Sequence, residues 1–215
     1  MHLAHWIEFM MKKLALESLL EVFDKCIDFW HIEPDIREVP SVKVNSLALE
    51  LAWRNCLLWH EEDKARRTDV DDSTIAVVKR AIDRLNQQRN DLIEKLDEVI
   101  LAEVERITVD LPEEIINCET PGSIVDRLSI LSLKIYHMDE DSRRSDVSDE
   151  HRRHSHHRLD VLRLQRHDLY VALDRLLDDY LAGRKRMKLY KQFKMYNDPT
   201  LNPELYSRKN ILKKC

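Results

Sequence analysis

Apolar residues recur every three or four positions along most of this chain, the period of helices that bury one face. Residues 2 to 31 read as a first helix, with Trp6, Phe9, Met10, Leu14, Leu16, Leu20, Phe23, Ile27 and Trp30 making a wide apolar surface. Such a surface either covers one side of a bundle or forms a homodimer contact. Pro34 and Pro40 bracket an irregular connector, and a helix from Ser46 to about Arg67 follows. Asp69 to Asp72 with Ser73 make a turn and an N-cap. From Ser73 to Ile107 a long helix carries a heptad seam: Ile75, Val78, Ile82, Leu85, Leu92, Leu96 and Val99. Arg89 is the one seam position that is not apolar. A linker over residues 108–122 ends where Ser123 and Asp126 form a capping-box pattern. The next stripe is Ile124, Leu128, Leu131, Ile135 and Met138. After a polar turn near Asp146, Leu159, Leu162, Leu169, Leu173, Leu176 and Tyr180 continue a seam, and Arg166 interrupts it. Gly183 is a plausible helix end, and turn signals beyond it predict an irregular arm.

The pattern repeats. A shift of 77 residues overlays 46–97 on 123–174 with sixteen identities in 52 positions. They include His60/His137, Arg66/Arg143, Arg67/Arg144, Asp69/Asp146, Gln88/Gln165, Arg89/Arg166, Asp91/Asp168 and Asp97/Asp174. Heptad similarity aligns leucines; it does not align His, Arg-Arg and Gln-Arg-x-Asp together. Each copy reads as a helical hairpin, so the expected fold is all-α: a four-helix bundle from two tandem homologous hairpins, plus an N-terminal helix and a basic C-terminal arm. The predicted parts of this single domain (1–215) are 1–45, hairpin 46–107, hairpin 123–183 and arm 184–215.

Composition sharpens the class. Charged residues make up 35% of the chain and there are only two glycines, as in a helical protein. Past Gly183, ten Lys/Arg face two acids, Asp198 and Glu204, so the tail carries +8 and the rest −13 of the net −5. A basic tail on an acidic body binds an anionic partner or folds back on its own body. The acidic body argues against nucleic acid. Cys26, Cys56, Cys118 and Cys215 form no C-x-x-C pair, and scattered thiols fit a reducing cytosol. Met1 to Lys13 lacks a basic region before an apolar run, and no stretch reaches roughly 18 uninterrupted apolar residues. The expectation is a cytoplasmic protein with no transmembrane segment.

Two kinds of candidate site emerge. A guanidinium in an apolar seam has a partner or serves a ligand. With the hairpins reversing near residues 69–70 and 146–147, Arg89 lies level with Glu50 and Arg166 with Asp126, which predicts structural ion pairs. The alternative is that both arginines clamp an anion such as phosphate, with Lys191, Lys194, Tyr196 and Asn197 of the arm as further anion-binding candidates. The second kind is a divalent metal site between helices. Its candidates are His60, Glu61 and Asp63 in one copy and His137, His156, His157 and Asp160 in the other. The Glu-x-x-His di-iron spacing, the His-Glu-x-x-His zinc motif, glycine-rich phosphate loops and the G-x-S-x-G elbow are absent from the sequence.

Several long segments also carry a resemblance. Trp59-His60-Glu61-Glu62-Asp63, Asn86-Gln87-Gln88-Arg89-Asn90-Asp91 and the run from Ser123 to Leu131 are three. Tyr190-Lys191-Gln192-Phe193-Lys194-Met195-Tyr196-Asn197-Asp198-Pro199, then Leu201-Asn202-Pro203, is the fourth. Together they resemble the bacterial domain-of-unknown-function family numbered 4254 over nearly the whole chain. The resemblance implies a cytoplasmic bacterial protein encoded beside sugar-transferring enzymes of envelope polysaccharide synthesis, with no activity to carry over. The expected function is therefore an accessory or binding protein whose arm engages a glycosyltransferase or an anionic ligand. The alternative is a metal-dependent enzyme on a phosphorylated sugar or nucleotide.

Overall fold

A computed structural model describes residues 18–33, 46–107, 115–193 and 195–206. Its regular structure is helical: α1 (Leu19–Ile32), α2 (Ser46–Lys64), α3 (Asp72–Ile107), α4 (Pro121–Ser142), α5 (Asp149–Leu181) and a short 3-10 turn, Met195–Asn197. Residues 1–17 of the expected first helix lie outside the described residues.

α4 is the hub. It touches every other helix, and its heaviest packing is with α5, as α2's is with α3. Its sequence explains this: Ile124, Val125 and Leu128 are buried, and so are the small polar Ser129 and Ser132, which let neighbours approach on several sides. α1 is core rather than cover. Phe23 and Ile27 are fully buried, each stabilising the fold by about 1.5–3 kcal/mol, and Trp30 meets Trp53 of α2 with ring centroids 4.9 Å apart.

The α3 seam follows expectation through Val78, Ile82 and Leu96, then departs from it. Val99 is 44% exposed, and the buried line passes to Val104. A straight helix has 3.6 residues per turn, so a strict heptad drifts about 20° per repeat and leaves the interface.

The loop between α2 and α3 and the loop between α4 and α5 use one device. Arg67 donates two hydrogen bonds to the Asp69 carboxylate (3.0 and 2.8 Å), and Arg144 does the same to Asp146 (3.0 and 2.7 Å). Asp71, not Ser73, caps α3 by accepting from the Thr74 amide, and Ser148 caps α5 by accepting from the His151 amide. α4 starts two residues before the expected Ser123, because Thr120 is the N-cap and Pro121 suits the first turn. Gly122 is required there: its amide donates to Asp97 at 2.6 Å, and a Cβ would meet the Ile93 carbonyl oxygen at 2.7 Å. Gly183, at φ 65°, ends α5 as expected.

The arm folds back. The Arg186 amide donates to the Ile115 carbonyl at 2.9 Å and Met187 is buried. Further along, the Gln192 amide donates to Glu94, Lys191 pairs with Glu98 at 3.1 Å, and Asn197 donates to Gln87 at 3.1 Å. The segment is thus tied along the outer face of α3. No described helix is long and apolar enough to cross a membrane.

Candidate functional site

Both seam arginines have carboxylate partners, though not the expected ones. Arg89 makes a two-pronged pair with Asp126 of α4, at 2.8 Å from Nε and 2.5 Å from a terminal nitrogen. Asn55 of α2 donates to the same carboxylate at 2.9 Å and to Ser129 at 2.7 Å. Arg166 donates to Asp24 of α1 at 2.5 Å and to Ser132 at 3.0 Å. Glu50 is exposed and holds neither arginine. The expected levels were more than one helical turn out, because Arg166 faces Ser132, six residues beyond Asp126.

Among the described residues, these pairs occupy both seam guanidinium groups. The Asp126 bond pushes the Arg89 pKa further up and fixes its charge. The cleft beside Arg89 is lined by Glu62, Asp63 and Arg66, and Arg66 is already paired with Glu62 at 2.9 Å. Of the arm candidates, Lys191 is engaged with Glu98 and Asn197 with Gln87. Lys194 and the Tyr196 side chain lie outside the described residues.

The metal candidates separate. His60 of α2 and His137 of α4 come together, with ring centroids 6.0 Å apart. His31 of α1 sits between them, 5.1 Å from His60 and 4.9 Å from His137. Cys56 lies one turn before His60. One ligand atom each of His31, Cys56 and His60 lie within 4.8 Å of one another. Trp59 stacks on His137 at 4.7 Å, and Tyr136 stacks on His31 at 4.1 Å. Glu61 turns to Lys64 instead, and Asp63 is exposed at the cluster's edge. His156 and Asp160 are exposed on α5, and His157, exposed too, lines the same cleft as Trp59 and His137.

Hydrogen bonds set the ring orientations. His31 Nδ1 lies 2.7 Å from the Ile27 carbonyl oxygen, which only accepts, so Nδ1 carries the proton. His137 Nδ1 likewise faces the Glu140 carboxylate at 3.1 Å. Each ring therefore presents a bare Nε2, and both Nε2 atoms are buried without a partner among the described residues. Burial, then the neighbouring His31, holds the pKa of His60 and of His137 below the ordinary histidine value, so both are neutral at pH 7. Burial pushes the Cys56 thiol up to about 12.

Beside the cluster a cleft of about 550 Å³ opens between α4 and α5, with Trp59 and His137 at one end. Lys134 and Arg158 line it, and neither has an ion pair among the described residues.

His31 and Cys56 were not among the candidates drawn from the sequence. Cys56 and His60, four residues apart on one helix face, were the available signal. His31 gave none, because its place depends on how α1 docks.

What fold and site define is an all-helical protein with three half-buried histidines around a buried cysteine at the meeting of three helices. The chain belongs to the family described as "Protein of unknown function (DUF4254)", whose model matches residues 45–189. Neither the search of curated proteins nor that of solved structures returned a match.

Proposed function

We propose that the chain is a bacterial, cytoplasmic accessory protein that engages a sugar-transferring enzyme of envelope polysaccharide synthesis through its C-terminal arm. In this reading its body is a duplicated hairpin packed as a four-helix bundle, with α1 added. The glycan setting is what the family resemblance implies. One observation carries the arm's role: Tyr190, Phe193 and Met195 are 73%, 87% and 57% exposed although the backbone between them is tied to α3. Large apolar side chains held outward on an anchored segment lose little entropy on binding and suit a protein partner. The test is co-purification with the sugar-transferring enzyme encoded beside the chain. The reading predicts a complex that Tyr190→Ser with Phe193→Ser abolishes while helix content stays unchanged. No complex, or one indifferent to the double substitution, overturns it.

The cleft beside the histidines favours a second reading, an enzyme acting on a phosphorylated sugar or nucleotide. Lys134 and Arg158 would then hold the phosphate in place of Arg89 and Arg166. Thermal stabilisation by sugar phosphates or nucleotide sugars, lost in Lys134→Ala/Arg158→Ala, supports it; absence of stabilisation at saturating ligand removes it.

A further inference from the structure

One ligand atom each of His31, Cys56 and His60 lie within 4.8 Å of one another, and the His137 ring lies beside them, its centroid 4.9 Å from that of His31 and 6.0 Å from that of His60; Nε2 of His31 and Nε2 of His137 are buried with no hydrogen-bond partner among the described residues. Bare imidazole lone pairs in a core lose their water and gain nothing in return. Three further features point to a ligand. The donor set is three imidazoles and one thiol, which suits zinc and other borderline or soft ions, whereas calcium and magnesium require oxygen. The non-coordinating nitrogens are already fixed: Nδ1 of His31 donates to the Ile27 carbonyl, and Nδ1 of His137 to the Glu140 carboxylate. A carboxylate or carbonyl behind the ring is how histidine ligands are oriented toward a metal. Finally, the spacing is near what is needed. Bonds of about 2.0–2.3 Å in a tetrahedron put ligand atoms roughly 3.3–3.7 Å apart. The 4.8 Å limit within which the His31, Cys56 and His60 atoms lie leaves at most about 1.5 Å to close, and His137 has to swing in from its place beside His31. Rotation about side-chain bonds covers that.

We propose that His31, Cys56, His60 and His137 form a structural transition-metal site that takes zinc(II). Binding releases the Cys56 thiol proton to solvent and joins one thiolate and three neutral imidazoles to the ion. Four protein ligands close the coordination shell, which marks a structural rather than a catalytic site. The ion then clamps α1 to α2 and α4. α1 packs against α4 but shares little contact with α2, so the clamp supplies a link that the apolar packing leaves thin. The inference does not depend on which partner the arm engages.

The experiment uses the full chain, stripped by a chelator under reducing conditions and titrated with zinc against a chromophoric competitor. The expected result is one zinc per chain, a thermal midpoint raised by zinc and restored by EDTA, and no response to magnesium. His31→Ala and Cys56→Ala each weaken zinc by more than about 100-fold, while Glu140→Gln, which keeps all four ligands, weakens it by roughly 10-fold. Cobalt(II) reports the sulfur separately: its thiolate charge-transfer absorption disappears in Cys56→Ala. If His31→Ala does not fold, Glu140→Gln and Cys56→Ala decide alone. Substoichiometric uptake, an unmoved midpoint, or unchanged affinity in Cys56→Ala overturns the proposal and leaves the histidines as a stacked core.

Discussion

His151, His154, His156 and His157 crowd seven residues at the start of α5, whereas His31, His60 and His137 are spread over more than a hundred. Density along the chain favours the first group as a site; the fold favours the second. His154 and His156 are exposed on a single helix, His157 lines the cleft between α4 and α5, and His151 donates to Asp141 at 2.8 Å. The scattered three arrive from three helices with rings about 5–6 Å apart. A helix places its own neighbours around a cylinder, so ligands that must converge on a point come more readily from different helices. The arginines teach the same lesson. Arg89 and Arg166 share a motif, but Arg89 draws its carboxylate from α4 and Arg166 from α1. Asp126 is 4% exposed and receives two Arg89 bonds; Asp24 is 43% exposed and receives one from Arg166. Two arginines in matching sequence segments thus do unequal work.

The inequality can be measured, from the largest effect downward. Asp126→Ala strands the Arg89 guanidinium and leaves Asn55 without its carboxylate. It should cost about 3–5 kcal/mol in urea unfolding, and a loss near that of Asp24→Ala would erase the contrast between the two pairs. Gly122→Ala forces a methyl against the Ile93 carbonyl and the Asp97 carboxylate; about 1–3 kcal/mol is expected by the same measurement.

Acid should separate the histidine groups in the metal-free protein. His60 and His137 have depressed folded pKa values, so the unfolded chain binds protons more readily. The stability gained from their neutrality is complete above the unfolded value of about 6.5 and is lost as pH falls from there toward the folded values. His31 on α1 and Lys64 on α2 reinforce the depression of His60, while Asp63 opposes it for both rings and Glu140 for His137. The thermal midpoint should therefore drop less between pH 7 and 5 in His60→Gln/His137→Gln than in the parent chain. An equal drop would sink the assignment. Asp24→Ala, at a half-exposed pair, should cost at most about 1 kcal/mol. Smallest of all, His154→Ala/His156→Ala/His157→Ala should stay within about 0.5 kcal/mol of the parent.

Helix class and most seam positions were legible because they follow from local periodicity. So were the two turns, where Arg67–Asp69 and Arg144–Asp146 close a short loop from residues two apart. The presence of a partner for each arginine was legible too, since a charge in a seam demands one. Its identity was not. Asp126 reaches Arg89 of α3 from α4 and Asp24 reaches Arg166 of α5 from α1, and no short-range spacing encodes either. The histidine cluster failed to show for the same reason. His60 and His137 occupy matching places 77 residues apart in the sequence, but His31 joins them only through the docking of α1, which rests on Phe23, Ile27 and Trp30 finding α4 and α2. Long-range packing decides these contacts, and a linear pattern carries no record of it.

The claim that three helices meet around a metal is tested most directly by zinc X-ray absorption on the zinc-loaded chain. The account predicts four-coordinate zinc with one sulfur near 2.3 Å and three nitrogens near 2.0–2.1 Å, the sulfur shell vanishing in Cys56→Ala. A shell of oxygen and nitrogen alone in the parent protein, or six-coordinate zinc, would contradict it.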